Sequence, residues 1–355
     1  MSDSINFKIA VITLADSHNE EEFSMGKKLA EKYGEDKVVH VACPVNFILE
    51  QEKCISSVTD LAKDTEIKIL IFPQALPGTN CAVDRFKEKR DDVFVIYGFL
   101  HEDVTESAAR ANLILKVNEE GMGSEMVKQA KKQGAKTFVH YSFPRHMDLK
   151  VHSRRRDLIS KTCMDEGLHF EDITILDPLG DKGPFVAQQL ILDEVPKMVA
   201  KFGEDTAFFC SNCRMQAPLI KAVIDNHAIY PQPCCPSPYH GFARALGIEH
   251  SRYDLHNFIT EVSRIAEENN MVDRLSTWPV SATMLFVFSG AEYAIKWLNG
   301  EIPGTGINKD ILMECMNNYI VEVLGEDGFL YMTPYAEEGK VFDNYKCILM
   351  SYLDF

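Results

Sequence analysis

Between residues 8 and 226 the chain alternates short apolar runs with longer amphipathic stretches, and no other feature limits its fold as much. Residues 8–14, K-I-A-V-I-T-L, form a continuous apolar run rich in β-branched side chains, the pattern of a strand buried on both faces. Further strands are expected at 38–42, 67–72, 93–97 and 113–117, with helices at 19–33, 47–62, 79–89 and 122–133. The rhythm then restarts, with strands at 137–141, 169–175 and 206–210 and helices at 149–166, 185–202 and 215–226. Such alternation implies parallel strands joined by right-handed helical crossovers. The economical architecture is α/β, with two Rossmann-like lobes built on parallel sheets. Residues 1–135 form the first lobe and 136–275 the second, which includes a helix at 255–270. Residues 276–355 supply late elements that cross back to the first lobe and the hinge: a short strand at 278–281, helices at 284–298 and 309–323, and a strand-like stretch at 347–353.

Residues 229–242, I-Y-P-Q-P-C-C-P-S-P-Y-H-G-F, stand outside this rhythm. Proline removes a backbone donor and fixes φ, so Pro231, Pro233, Pro236 and Pro238 forbid both a regular helix and a central strand. The segment is a rigid, extended connection that starts at the carboxyl edge of a sheet, where ligands of open α/β folds bind. It carries Tyr230, Cys234, Cys235, Tyr239 and His240.

Composition narrows the function. A formal net charge of −16 opposes direct nucleic-acid binding, whose affinity is supplied largely by Lys and Arg. No cationic start followed by an apolar stretch marks a signal peptide, so a cytoplasmic location is expected. The most apolar region, 280–290, meets Glu292 and Lys296 too soon for a membrane span. The ten cysteines are scattered, and most are expected to be reduced and buried.

The segments K-I-A-V-I-T, Q-A-L-P-G-T, K-T-F-V-H-Y-S-F-P-R-H-M, D-T-A-F-F-C-S-N-C and Y-P-Q-P-C-C-P-S-P-Y-H-G-F resemble an uncharacterised bacterial family within the type I periplasmic-binding-protein-like superfamily. That superfamily includes sugar- and nucleoside-binding receptors and the effector domains of lactose-repressor-type regulators. The resemblance implies three interlobe crossings and a ligand cleft between the lobes.

In that reading, loops after the strands carry specificity. The first lobe offers Asp16, Ser17, His18 and Asn19, then Gln74, Gly78 and Thr79, then Gly98, His101 and Glu102. The second offers Tyr141, Ser142, Arg145 and His146, then Asp177, then Ser211 and Asn212, with Tyr239, His240 and Trp278 beyond. Tyr230, Tyr239 and Trp278 are the expected stacking platforms. Arg145, His146, Lys150, His152 and Arg154 to Arg156 concentrate positive charge, which suits either a carboxylate or phosphate beside Arg145 or a solvated face paired with Asp148 and Asp157.

Cys210 and Cys213 form a CxxC at a strand-to-helix turn, where a redox thiol or, with Cys234 and Cys235, a zinc site is conceivable. Adjacent cysteines and the missing second CxxC favour structural thiols, so no cofactor and no metal are expected. Gly121-Met-Gly123 lacks the third glycine of a dinucleotide fingerprint and suits a helix start better. The expected function is non-catalytic binding or sensing of a small polar or aromatic metabolite by hinge closure. One alternative is the effector module of a regulator lacking its DNA-binding domain. The other is a hydrolase-like enzyme using His140, His146, Cys235 or His240. The partners this calls for are the small-molecule ligand, a transporter or regulatory protein, and a second copy of the chain.

Overall fold

The computed structural model describes residues 5–17, 20–248, 254–325 and 330–355. The chain divides into two compact units, one made of Met1–Val117 with Ala282–Ile348 and the other of Asn118–Ser281 with Leu349–Phe355. These divisions differ from expected boundaries after residues 135 and 275: the helix that follows Asn118 belongs to the second unit, where it packs on a later helix of that unit.

The first unit opens with β1 (Lys8–Thr13), α1 (Glu20–Phe23), α2 (Met25–Tyr33), β2 (Val38–Ala42), α3 (Gln51–Asp60), β3 (Ile67–Phe72), α4 (Thr79–Lys87), β4 (Phe94–Gly98), α5 (Val104–Ala108) and β5 (Leu113–Val117). These five strands pair in parallel in the order β2-β1-β3-β4-β5. Their near-continuous apolar runs match their burial: every residue of β4 is buried, and β2 at the sheet edge is the half-exposed one.

The second unit contributes α6 (Met122–Lys132), β6 (Thr137–Ser142), α7 (Pro144–Met147), α8 (Lys150–Glu166), β7 (His169–Thr174), α9 (Gly183–Phe202), β8 (Thr206–Cys210), α10 (Gln216–Asp225), α11 (Phe242–Leu246), α12 (Leu255–Glu268) and β9 (Ser276–Thr277). Its parallel sheet runs β7-β6-β8. Single parallel bridges extend the pairing, from Ala207 to Ile229 and from Tyr230 to Leu275. The chain then returns to the first unit through α13 (Ala282–Leu298), α14 (Lys309–Leu324), β10 (Leu330–Glu337) and β11 (Lys340–Met350), which pairs in parallel with β5. The last strand, β12 (Leu353–Asp354), pairs antiparallel with β9. None of the described helices is long and apolar enough to cross a membrane.

Several elements differ from the sequence expectation. The helix expected at 19–33 breaks at Ser24, whose hydroxyl bonds the Glu21 carbonyl. Strand β9 precedes Trp278, and the residues after it enter α13. The short helix α5, capped by Asp103 accepting from the Glu106 N–H at 2.9 Å, has too few residues to show a period. The β10–β11 hairpin was not legible because β10 is largely exposed; its turn is Glu338-Gly339, with φ of 49° and 81° as a tight hairpin demands.

Both sheets have a switch point. Strands β2 and β3 lie on opposite sides of β1, and β7 and β8 on opposite sides of β6. The carboxyl-end loops of β1 and β3, and those of β6 and β8, therefore border crevices of the kind in which α/β sheets bind ligands.

Candidate functional site

At the first unit's switch point the two loops are joined through Glu22, a buried carboxylate on α1. Its Oε1 accepts from the Leu14 N–H at 2.7 Å and its Oε2 from Gln74 Nε2 at 2.6 Å. Burial pushes the Glu22 carboxyl above its usual range, against these two hydrogen bonds. A pocket beside it is lined by Thr13, Glu22, Phe47, Gln51, Gln74 and Gly78. Cys43 and Cys54, also on its wall, form a disulfide, so these two are not the reduced thiols expected from the sequence.

Other expected first-unit residues are engaged in local structure. Gly78 adopts φ 101° and its N–H donates to Glu102 Oε1 at 2.8 Å, while Glu102 Oε2 accepts from the Asn80 N–H at 2.7 Å. Glu102 thus holds the start of α4, with Thr79 buried beside it. Gly98 is required by close packing, since a Cβ there would stand 2.4 Å from the Pro73 carbonyl oxygen. Asp16, Ser17 and His101 lie exposed in loops after β1 and β4. His18 and Asn19 lie outside the described residues.

The second unit's switch point is richer. His146, on α7 after β6, shares a hydrogen bond of 3.0 Å between its Nδ1 and Ser211 Oγ, beyond β8. Asn212 Nδ2 lies 3.5 Å from His146 Nε2. An amide nitrogen can only donate, so Nε2 accepts and Nδ1–H donates to Ser211. Burial, followed by the nearby Arg145 and Arg155 charges, holds the His146 pKa below its ordinary value, so the ring is neutral at pH 7. The neighbouring His152, stacked on His146 at 4.6 Å, is pushed down to about 4 by burial and by Arg155. His152 Nδ1 accepts from Arg155 Nη2 at 3.0 Å.

Arg155 is the residue the sequence reading grouped with its neighbours but did not single out. The residue is 2% exposed, its guanidinium lies over the Phe209 ring at 5.3 Å, and its Nε has no hydrogen-bond partner. No carboxylate pairs with it among the described residues. Arg145, the expected anion site, is instead clamped by Asp177 through bonds of 2.6 and 2.9 Å, which hold the Asp177 carboxyl down at about 2. An anion beside Arg145 would have to displace that carboxylate.

Tyr141 and Ser142, at the end of β6, are buried; the Tyr141 ring stacks on Phe208 and its hydroxyl has no partner. His140 is sealed beneath them, bonded through Nδ1 to Asp172 on the adjacent strand at 2.8 Å. It reaches no loop, which removes it from the acid–base roles considered for it.

The proline segment is held by side-chain donors. Ser276 Oγ donates to the Pro231 carbonyl at 2.6 Å, Thr277 Oγ1 to Pro238 at 3.0 Å, and Trp278 Nε1 to Pro233 at 3.1 Å. Three consecutive residues thus satisfy carbonyls that a strand partner cannot reach. Tyr230 donates its hydroxyl to Gln216 Oε1 at 2.5 Å, and Gln216 Nε2 donates to the Cys210 and Asn212 carbonyls. Tyr230 and Trp278 are 0% exposed, so they are anchors of this segment and offer no stacking face. Tyr239, half-buried, packs edge-on against Phe258.

The same segment brings sulfur together. Cys213 Sγ lies 3.0 Å from Cys235 Sγ and 3.9 Å from Cys234 Sγ; Cys234 Sγ lies 3.8 Å from Cys235 Sγ and 3.7 Å from His240 Nε2. Cys210 is not in the cluster: it ends β8 fully buried, and burial pushes its thiol up to about 12. The CxxC spacing therefore does not make a redox pair. For His240, burial disfavours the proton, yet hydrogen bonding to the Cys213 and Cys235 sulfurs raises its pKa to about 10.

A family model described as a protein of unknown function, DUF3798, matches residues 7–276. An uncharacterised protein of Treponema pallidum (strain Nichols) is 29% identical over 194 residues, covering 55% of this chain and 88% of that protein. A crystal structure described as a "Putative transcriptional regulator" from Clostridium difficile 630 superposes with a TM-score of 0.86 at 22% identity, covering 99% of each chain. The periplasmic ribose ABC transporter from Conexibacter woesei DSM 14684 gives a TM-score of 0.51 at 12% identity, covering 86% of this chain and 91% of that one. A periplasmic solute binding protein from Actinobacillus succinogenes 130z, solved with bound D-allose, gives 0.50 at 11% identity, covering 86% and 99%. These likenesses establish the fold as that of the type I periplasmic-binding-protein kind.

Proposed function

We propose that this chain, which belongs to the DUF3798 family, binds a small, neutral, hydroxyl-bearing molecule at the carboxyl edges of its parallel sheets. The carrying observation is the His146–Ser211–Asn212 cluster at the second unit's switch point. A neutral imidazole, a hydroxyl and an amide offer both donors and acceptors without net charge, which matches hydroxyl groups that both give and accept hydrogen bonds. At the first unit's switch point, the Gln74 amide and the Glu22 carboxyl group also place hydrogen-bonding groups, with the difference that Glu22 brings a charge when ionised. The sugar-binding proteins that share the fold support this ligand class. In this reading binding is itself the function, serving delivery or sensing. The name of the Clostridium difficile structure favours a second reading, in which the chain is the effector module of a regulator.

The test is calorimetric titration of the full chain with a panel of pentoses, hexoses and nucleosides. At least one compound binds and is recovered unchanged, and His146→Ala weakens it at least ~10-fold, the ~1.4 kcal/mol expected of one lost hydrogen bond in a buried site. Failure of every compound to bind, or equal affinity in the variant, refutes the assignment. Chemical conversion of the bound compound would establish an enzyme instead, and ligand-dependent dimerisation would favour the regulatory module.

A further inference from the structure

We propose that Cys213, Cys234, Cys235 and His240 form a mononuclear site for a soft divalent cation, with zinc as the metal best matched. The four ligand atoms lie within 4.8 Å of one another. A tetrahedral zinc with bonds of ~2.3 Å to sulfur and ~2.0–2.1 Å to nitrogen has sulfur–sulfur edges of about 3.8 Å and sulfur–nitrogen edges of about 3.6 Å. The separations of 3.9, 3.8 and 3.7 Å around Cys234 meet those lengths, the Cys213–Cys235 edge, at 3.0 Å, must open on binding, and the two remaining edges to His240 are no longer than 4.8 Å. Three thiols and one imidazole are a complete tetrahedral set, and thiolate softness with this geometry selects zinc over oxygen-loving cations.

The chain builds this set from two directions. Cys213 comes from the turn after β8, and the other three from the proline segment. The bridge between Ala207 and Ile229 sets the two side by side. The bonds from Ser276, Thr277 and Trp278 fix the carbonyls of Pro231, Pro238 and Pro233, so Cys234 and Cys235 are held before any metal arrives. Gly241 permits the bend after His240, with φ 84° and no room for a Cβ, which would stand 2.6 Å from Gln216 Cβ.

Charge supplies a second, independent argument. Three thiolates and a neutral imidazole on a divalent cation leave one net negative charge. Burial works against the Arg155 charge; no carboxylate forms an ion pair with it among the described residues, and the groups whose field favours it are Glu119 first, then Cys234 and Cys235. A metal–thiolate centre would add to the Glu119 field the negative charge that this burial calls for. A Cys213–Cys235 disulfide would use two of the four groups and leave Cys234, His240 and Arg155 unexplained. With four protein ligands the site is closed and structural. It would pin Cys213, one residue from Asn212, and so hold the ligand-binding loop in place.

The experiment uses the full chain purified under reducing conditions without chelator. Elemental analysis is expected to find about one zinc per chain. After chelation, anaerobic addition of Co2+ alone should give the visible d–d bands of tetrahedral cobalt and a thiolate-to-cobalt charge-transfer band. Cys213→Ser and Cys235→Ser should each weaken Co2+ binding beyond the ~10–100-fold typical of losing a supporting residue, whereas Cys81→Ser should not. Thiol titration of the wild type gives a second reading that does not depend on the folding of cysteine variants: chelation should expose three more reactive thiols. A wild-type protein that carries no zinc and gives no charge-transfer band, or peptide mapping that shows a Cys213–Cys235 disulfide, overturns the proposal.

Discussion

Trp278→Phe tests whether the proline segment is held by side-chain donors. The indole is wholly buried and its Nε1 donates to the Pro233 carbonyl at 3.1 Å, next to Cys234. Phenylalanine keeps most of the apolar contact but leaves that carbonyl without its donor, at a cost of ~1–3 kcal/mol for a buried group. It also leaves roughly 40 Å³ of void, worth ~1 kcal/mol at ~24 cal/mol per Å³. The expected destabilisation is therefore ~2–4 kcal/mol, or roughly 4–16 °C in Tm for a unit of this size. Urea unfolding followed by far-UV circular dichroism measures it, with Thr277→Val as a companion that removes the donor to Pro238 while keeping the shape. A loss below ~1 kcal/mol for Trp278→Phe would mean that Pro233 finds another donor, and the side-chain clamp would be refuted.

Gly241→Ala should cost ~2–4 kcal/mol, combining a left-handed alanine with a clash against Gln216 and Ile220; wild-type stability in a thermal melt would show that the turn can shift. Acid should weaken the second unit through His152. Its ordinary pKa of 6.5 falls to about 4 in the folded chain, where it faces Arg155, His146, His140 and Cys213. The unfolded chain then binds the extra proton, so stability is complete above pH 6.5, falls between 6.5 and 4, and stops falling below 4 on this account. The loss from this ring is ~1–3 kcal/mol, and His152→Gln should flatten the slope of stability against pH in that window; an unchanged slope would contradict it.

The central strands of both sheets were legible because a strand buried on two faces must be apolar at nearly every position, whereas the exposed β10 carried no such signal. Residues 67–72 and 206–210 announce themselves without reference to any partner. The proline segment was legible as an irregular edge connection for the same local reason, since missing N–H groups are written in the residue type. Arg145 and Arg155 were not separable. They sit ten positions apart in one basic stretch, and only packing shows that Asp177 claims the first while the second is buried without a carboxylate.

What the sequence determined is each element's own burial: an alternating α/β chain, parallel strands, and carboxyl-edge loops rich in polar residues. Tertiary structure alone decided which loops meet. Cys213 and Cys235 are separated by a whole helix, α10, and become neighbours because β8 lies beside the segment that begins at Ile229. The same pairing leaves Cys210, nearer in sequence and in a familiar motif, buried at the strand end. Local patterns record whether a residue faces a core; strand order is chosen by the summed burial of distant elements, which no single stretch of sequence carries.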